Sequence, residues 1–256
     1  ETVYSFHGFQ LIGNPILIDS LIYICANTQP GSDGVLLAIN LNSYEFDTIF
    51  TLAYGFMEST ASIGFDKTVL VNDYRIFEYN PSTNLITLLG NLPSMAGYGT
   101  GSLLQTETGD IYGTSKFGGI NEVGVIFQHL QGITEPIKLH TFLNSDRIKI
   151  PKNSVVEGAN NKLLGCSAWF YNDPGCIYQF DLSSNEFSII YDFDEVSGTI
   201  PGSDLIKDLN QKIYGTTMLG GVNGKGTIFS FDPVSNQITI LYDLDIVTGR
   251  FPLHGH

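Results

Sequence analysis

The sequence predicts an all-β protein, a β-propeller built from four-stranded antiparallel blades. Three observations predict this fold. The 256 residues repeat themselves at an interval of about fifty residues, which is a period typical of propellers and other repeat arrays. Each repeat alternates short runs of β-branched and aromatic residues with joints rich in Gly, Asn, Asp and Pro. No stretch shows the apolar spacing of three and four residues that an amphipathic helix requires.

The last full repeat shows the strands of one blade most clearly. Its first strand is predicted over 203–207, the second over 212–217, the third over 227–231 and the fourth over 237–243, with a Gly-rich loop over 218–226. A tight turn joins the third strand to the fourth. In that turn Asp232 bonds its own backbone, Pro233 fixes φ, and Asn236 accepts the left-handed conformation.

The end of the fourth strand marks every repeat. Its copies begin at Tyr4, Phe50, Leu88, His140, Tyr191 and Tyr242. They predict a single domain over 1–256, with repeats at approximately 7–53, 54–92, 93–143, 144–194 and 195–245, an extra strand at 1–6 and the start of a further repeat at 246–256. The second repeat is short because it lacks the Gly-rich loop. One closed unit is expected, since each repeat covers its apolar faces with its neighbours.

The number of blades has three interpretations. Five blades, with the N-terminal strand near the point of closure, is the first. Six blades, one of them assembled from both termini or from a neighbouring chain, is the second, and part of a larger propeller is the third. An odd terminal strand predicts homo-assembly by exchange between chains, and a size measurement that showed only monomer would contradict it.

The composition excludes several classes of partner. The formal net charge is −14, with 12 basic and 26 acidic residues, so no nucleic acid and no anionic membrane surface is expected as a partner. No run of eighteen apolar residues occurs, and therefore no membrane insertion is expected. No signal peptide is visible at Glu1, which is also true of a mature secreted chain.

The three cysteines do not form a zinc pattern. Cys166 and Cys176 flank one predicted hairpin, so they could form a disulfide or remain a free buried pair. Cys25 lies at the repeat position equivalent to Cys166, which predicts a core position.

Two segments carry a resemblance to a known repeat family. Both 112–119 and 214–221 read Tyr-Gly-Thr-x-x-x-Gly-Gly, and the second is followed by Gly-Thr-Ile-Phe at 226–229 and Leu-Tyr-Asp-Leu at 241–244. This pattern resembles the GloVer tandem repeat of bacterial surface and secreted proteins. The Gly-Gly pairs and the turn at 79–84 also resemble kelch repeats. The resemblance implies a propeller at the cell surface or outside the cell, and it implies no catalytic residues.

The candidate ligand-binding residues lie in loops that share one face of a propeller. They are Trp169, Phe170, Tyr171, Phe117 and Met218. Three consecutive aromatic residues cannot all point inward from one strand, because neighbours alternate faces. Exposed aromatic rings suit stacking on sugars or anchoring a protein partner. The alternative is that two of the three are core and one covers a blade edge.

A calcium site is a weaker hypothesis, and no other cofactor or metal is expected. Two loops between blades are acidic, with Asp192, Asp194 and Glu195 in one and Asp243 and Asp245 in the other. Oxygen ligands at alternate positions could hold calcium. Neither loop has the spacing or the Gly of a known calcium loop, and a solvated strand end gives the same alternation.

The sequence favours a non-enzymatic binding or scaffold propeller, extracellular or at the cell surface, which presents its loops to a glycan or protein partner. A secreted enzyme that acts on polysaccharide, with carboxylates in the central channel, is the first alternative, and a structural repeat of an adhesin or filament is the second. No catalytic residue is nominated. His140 occupies the aromatic position of its repeat, which favours packing over catalysis.

Overall fold

Five antiparallel sheets, arranged in a ring as the blades of a propeller, make up the described part of the chain. The computed structural model describes residues 9–28, 33–52, 60–72, 75–92, 101–120, 122–143, 148, 151, 153–168, 173–247 and 249. The only helical element in these ranges is one 3-10 turn, Phe65–Lys67. The all-β propeller of five four-stranded blades is therefore confirmed. The predicted extra strand at 1–6 and most of 246–256 lie outside the described residues.

The strands of each blade follow one another across the sheet in chain order. Blade 1 contains β1 (Gln10–Ile18), β2 (Leu21–Asn27), β3 (Gly34–Asn40) and β4 (Phe46–Leu52). Blade 2 contains β5 (Ala61–Ile63), β6 (Val69–Asn72), β7 (Arg75–Asn80) and β8 (Leu85–Asn91). Blade 3 contains β9 (Leu104–Gln105), β10 (Ile111–Ser115), β11 (Val125–His129) and β12 (Ile137–Thr141). Blade 4 contains β13 (Val156–Gly158), β14 (Lys162–Ser167), β15 (Cys176–Asp181) and β16 (Glu186–Asp192).

Blade 5 differs because its innermost strand is interrupted. It contains β17 (Thr199–Pro201), β18 (Ile206–Lys207), β19 (Ile213–Leu219), β20 (Thr227–Asp232) and β21 (Gln237–Asp243). Both β17 and β18 pair with β19. Residues 202–205, between these two strands, do not belong to either strand. Asp204 lies in this segment and reaches toward the other blades. The sequence predicted one first strand at 203–207, and only its last two residues are in a strand.

A β-bulge recurs at the same place in all five blades, between the third and fourth strands. The extra residue is always Ile or Leu on the fourth strand: Ile49, Leu89, Leu139, Ile190 and Leu241. A bulge bends the strand and increases its twist. Its position aligns Gly90 with Phe50 and His140. The sequence comparison predicts Leu88 at this position, two residues before Gly90. The short second repeat has no Gly-rich loop from which to count.

The turns between third and fourth strands have the predicted chemistry. Asp181 and Asp232 accept through Oδ1 from the N–H two residues later, at 2.8 and 2.9 Å, and Asn80 does the same at 2.9 Å. Asn185 and Asn236 close their turns with φ of 59° and 54°. Because this geometry depends on local residues and recurs, the sequence alone predicts these turns.

The core consists of apolar clusters between successive blades. One joins blades 1 and 2 around Tyr23 and Tyr79, and others follow between blades 2 and 3, 3 and 4, and 4 and 5. All three cysteines are free and buried. Cys166 pairs with Ile177 and Cys176 with Ser167, so the two thiols point to opposite faces of the sheet. In the part of the chain that is described, no helix is long and apolar enough to cross a membrane.

Candidate functional site

Two kinds of connection share one side of the propeller. Because neighbouring strands of a blade are antiparallel, the loop from the second to the third strand emerges on the same side as the loop from the fourth strand to the next blade. We call this side the loop face. The opposite side, with the turns between third and fourth strands, is the turn face. Loops on a rigid scaffold vary freely, so the loop face is the first place to seek a ligand site.

The Gly-rich loops of blades 3 and 5 share one backbone geometry. The N–H of Gly124 donates to the carbonyl of Gly118, and the N–H of Gly226 donates to the carbonyl of Gly220, both at 3.1 Å. Gly226 has a φ of 101°, and a Cβ at this position would overlap the carbonyl oxygen of Thr217. These bonds make the loop a fixed wall of the loop face.

The connection from blade 4 to blade 5, residues 193–200, is held from both sides. The N–H of Ile200 donates to the carbonyl of Pro174 at 2.7 Å, in the preceding blade. The N–H of Gly221, in the Gly-rich loop of blade 5, donates to the carbonyl of Glu195 at 2.8 Å. Since backbone groups make both bonds, these two attachments of the connection do not depend on side-chain rotamers.

Asp194 turns this connection and keeps one oxygen atom accessible. Its Oδ1 accepts from the N–H of Ser197 at 2.7 Å, from the Ser197 hydroxyl at 2.8 Å, and from the N–H of Val196 at 3.0 Å. These bonds, led by the Ser197 N–H, lower the pKa of Asp194. Its Oδ2 has no hydrogen bond to any described residue. The side chain is exposed, so a charged acceptor stands at the surface.

A cavity of about 330 Å³ lies beside this connection, between blades 4 and 5. We call it the loop-face cleft; it is lined by Asp173, Pro174, Phe193, Asp194, Glu195, Thr199 and Ile200. Ile200 has a φ of 58°, which is a strained conformation for a β-branched residue. The surrounding bonds hold it there, and such strain clusters at ligand sites.

The structure places the predicted site residues in different positions. Trp169, Phe170 and Tyr171 lie outside the described residues, and they precede the cleft residue Asp173 closely in sequence. Phe117 is half-buried in the blade 3 loop, with the Lys116 ammonium 5.2 Å from its ring centroid. It does not line the loop-face cleft.

Met218 lies on β19 rather than in the Gly-rich loop where the sequence placed it. The strand continues because β17 pairs with its end, Thr199 opposite Leu219. Met218 is half-buried there. The loop therefore begins at Gly220, and the sequence missed this because the partner strand belongs to the connection from blade 4.

The central channel contains a polar ring that sequence reasoning missed. Each blade contributes one polar residue at the equivalent register of its innermost segment: Asn14, Thr60, Ser102, Ser154 and Asp204. Asp204 Oδ2 accepts from the Ser102 hydroxyl at 2.5 Å and from Asn14 Nδ2 at 2.9 Å. Its Oδ1 accepts from the Ser154 N–H at 2.6 Å. One carboxylate thus joins blade 5 to blades 1, 3 and 4.

Asp204 serves the architecture of the channel. A general acid or base needs an oxygen atom that is available to substrate, whereas both oxygens of Asp204 are engaged between blades. The signal for this residue was present in the sequence, because a carboxylate stands where the other repeats have uncharged side chains. It could not be used without knowing the register of the innermost strands.

His140 is packed, as its place in the repeat suggests. Its ring stacks on Phe187 with centroids 4.7 Å apart and an interplanar angle of 13°, and it meets Phe142 edge-on at 5.1 Å. Among the described residues no group of three or more His, Cys, Asp or Glu side chains is placed to hold a metal ion. The calcium site stays a prediction.

Comparison with known proteins identifies the repeat. The model of the Gloeobacter/Verrucomicrobia repeat family matches residues 133–255. The match covers slightly less than half of the chain. The matched region spans the last strand of blade 3 and all of blades 4 and 5, which include the loop-face cleft. The predicted resemblance is confirmed, while the kelch resemblance stays a prediction. No curated protein matches the sequence.

Solved structures share the propeller fold at low sequence identity. The extracellular domain of a one-component system from B. thetaiotaomicron matches 95% of this chain and 29% of its own, at 12% identity and TM-score 0.61. TolB from Acinetobacter baumannii matches 86% of this chain and 50% of its own, at 14% identity and TM-score 0.56. An ulvan lyase bound to -[GlcA(1-4)Rha3S]- matches 91% of this chain and 72% of its own, at 11% identity and TM-score 0.55. The chain spans half or less of the first two relatives, and these likenesses show the fold alone.

Proposed function

We propose that this chain is a non-enzymatic binding propeller that acts outside the cell or at its surface and holds a glycan at its loop face. The loop-face cleft carries the proposal. Its walls combine the apolar surfaces of Pro174, Phe193 and Ile200 with the carboxylates of Asp194 and Glu195. A sugar ring has an apolar face and a rim of hydroxyl donors, so it matches a site of this kind.

The electrostatics of the cleft support recognition of hydroxyl groups. The lowered pKa of Asp194 keeps its carboxylate charged well below neutral pH. Its Oδ2 is therefore a charged acceptor that a ligand hydroxyl could use at neutral pH. Trp169, Phe170 and Tyr171, close before Asp173 in sequence, would supply the stacking surface.

The extracellular location rests on two observations of similarity. The repeat pattern of the sequence resembles a tandem repeat of bacterial surface and secreted proteins, and one structural relative is named as an extracellular domain. Such a location would give the cleft access to surface polysaccharides.

A glycan-array screen of the purified chain tests the proposal. We expect a specific hit, with affinity lowered about tenfold or more in Trp169→Ala and also lowered in Glu195→Ala. Glu107→Ala is the matched control, because it removes an exposed carboxylate from the turn face and should bind as the wild type does.

Other outcomes would move the proposal in defined directions. No hit on the array, together with capture of an extracellular protein that Trp169→Ala abolishes, would replace the glycan by a protein partner. Shortening of a bound polysaccharide during incubation would contradict the non-enzymatic assignment. Binding that both cleft variants leave unchanged would contradict the site.

A further inference from the structure

Tyr23 is a buried tyrosine whose hydroxyl group has no hydrogen bond to any described residue. The equivalent tyrosines of blades 3 and 5 are both bonded. Tyr112 accepts from Gln128 Nε2 at 2.9 Å, and Tyr214 donates to Asp208 Oδ2 at 3.0 Å. Tyr23 is only 1% exposed. The Tyr23 side chain lines a cavity, and its hydroxyl is not among the fully buried atoms that lack a partner. This exception within the repeat requires an explanation.

The residue that faces Tyr23 across the strand pair offers its hydroxyl group no partner. This residue is Ala38. The equivalent positions of the other blades hold the longer or polar side chains Glu78, Gln128, Gln179 and Ser230. The small Ala38 side chain leaves a cavity of about 510 Å³ on the turn face, between blades 1 and 2. We call it the turn-face cleft, and the Tyr23 side chain lines it.

The rim of the turn-face cleft is acidic and aromatic. Glu45 and Asp47 line it and are exposed, and between them Phe46 is 37% exposed. None of its described lining residues is Lys or Arg. An aromatic and acidic rim of this kind attracts an organic cation through charge and through the negative face of the ring.

The potential at the Tyr23 hydroxyl is negative. The pKa of Tyr23 is raised to about 12, first by burial and then by Tyr79 and Asp19. Asp19 itself pairs with Lys67, whose Nζ lies 2.6 Å from Asp19 Oδ1, in an exposed ion pair outside the lining of the cleft. A neutral phenol oxygen near carboxylates is an acceptor for a charged donor.

We propose that the turn-face cleft binds an alkylammonium group. The nitrogen donates to the Tyr23 hydroxyl oxygen and pairs with the Asp47 and Glu45 carboxylates, while the alkyl chain packs against Leu21 and Ile49. Such a group is carried by the side chain of a lysine or by a free diamine. This site lies on the face opposite the proposed glycan site and does not depend on it.

Titration of the full chain with three probes at low ionic strength tests the site. The probes are cadaverine, Nα-acetyl-lysine methylamide and the neutral analogue 1-pentanol, followed by NMR or calorimetry. Binding of both cations but not of 1-pentanol supports the proposal. The tighter cation then indicates whether a free diamine or a lysine side chain is the natural source. Equal binding of 1-pentanol, or no binding of either cation, overturns it.

Matched variants locate the binding. Tyr23→Phe keeps the ring and removes the hydroxyl, so affinity should fall about tenfold, as expected for a hydrogen bond to a charged donor. Asp47→Asn should weaken binding most at low salt. Glu186→Gln is the control, because Glu186 occupies the position equivalent to Glu45 in blade 4. If Glu186→Gln lowers the affinity as much as Asp47→Asn does, the effect comes from net charge alone and the site is wrong.

Ala38→Gln tests the internal comparison directly. It gives Tyr23 the partner that Gln128 gives Tyr112 and fills the cleft, so binding of both cations should be lost while the fold is retained. Thermal unfolding checks the fold, and the exposed Asp47→Asn variant keeps the test valid if Ala38→Gln does not fold. Trp169→Ala should bind the cations as the wild type does, which separates this site from the loop face.

Discussion

At the scale of single residues, Asp204 has the largest consequence for the ring. Its carboxylate accepts from donors on blades 1, 3 and 4. In Asp204→Asn one acceptor becomes an amide N–H₂ that faces these donors. We expect a loss of about 2–4 kcal/mol in the free energy of unfolding, because hydrogen bonds to a charged group are lost and partly buried donors are left without an acceptor. Urea unfolding measures it.

Ser154→Ala is the matched control for that variant. Ser154 binds Asp204 through its backbone N–H, and its buried hydroxyl has no partner in the described part of the chain. Removing the hydroxyl should leave stability unchanged or slightly higher. A similar loss in both variants would mean that general disturbance of the channel, rather than the carboxylate, is responsible.

The buried thiols predict a loss of stability at alkaline pH. Burial raises the pKa of both Cys25 and Cys166 to about 12. Above about pH 9 the unfolded chain loses thiol protons that the folded chain keeps. The stability from these groups is therefore fully present below pH 9 and is lost as the pH rises toward 12, with a slope of up to about 1.4 kcal/mol per pH unit for each thiol.

Denaturant unfolding between pH 8 and 11 checks this dependence. The double variant Cys25→Ala with Cys166→Ala should flatten the curve while lowering its starting value. An unchanged slope in the double variant would assign the alkaline loss to tyrosines instead, because the pKa of buried Tyr178 is also raised by burial.

At the scale of elements, the Gly-rich loop of blade 5 contains two glycines that differ in φ and in the space around an added Cβ. Gly224 and Gly226 both have positive φ, 63° and 101°, but a Cβ on Gly224 meets no atom within 4 Å. Gly224→Ala should cost about 1 kcal/mol for the left-handed backbone alone. Gly226→Ala adds overlap with the Thr217 carbonyl and a φ outside the left-handed region that alanine adopts, so it should cost clearly more, about 3 kcal/mol. Thermal unfolding of the two variants measures these losses of stability. Equal losses would contradict the expected extra cost at Gly226.

Local chemistry explains which elements could be predicted. The fourth strand of blade 5, predicted at 237–243, has these bounds in the structure, because a turn with Asp, Pro and Asn defines its start. The first strand of the same blade was largely wrong. Its pairing depends on two separate segments that meet β19, and nothing within 199–207 reveals that meeting. Met218 was misplaced for the same reason.

At the scale of the whole molecule, the charge predicts a response to salt. The net charge of −14 is spread over the chain, and the ion pair Lys67–Asp19 lies at the surface, with both side chains about two-thirds exposed. Added NaCl should screen the self-repulsion and weaken little that stabilises. The melting temperature should rise by roughly a few degrees between low salt and about 0.3 M NaCl, and a fall would contradict this. Sucrose at matched osmolality is the control for non-ionic effects.

The arrangement of blades around the ring limits what the sequence can predict about sites. Repeats and turns predicted five blades because each signal lies within one repeat. The loop-face cleft joins blades 4 and 5, the turn-face cleft joins blades 1 and 2, and Asp204 joins four blades. Each depends on residues that meet only in the closed ring. Ala38 is an ordinary strand residue until it is compared with Gln128 at the same register.

The hydrogen bond between Asn14 and Asp204 joins residues 190 positions apart. Each blade can form from a contiguous segment, whereas the ring cannot close until the first and last blades are both present. Loop-closure entropy makes such distant contacts slow to form. During synthesis the early blades would therefore wait with their apolar faces uncovered, and closure through Asp204 would be a late step. The time spent open, rather than the final stability, would set how strongly this chain aggregates or depends on chaperones.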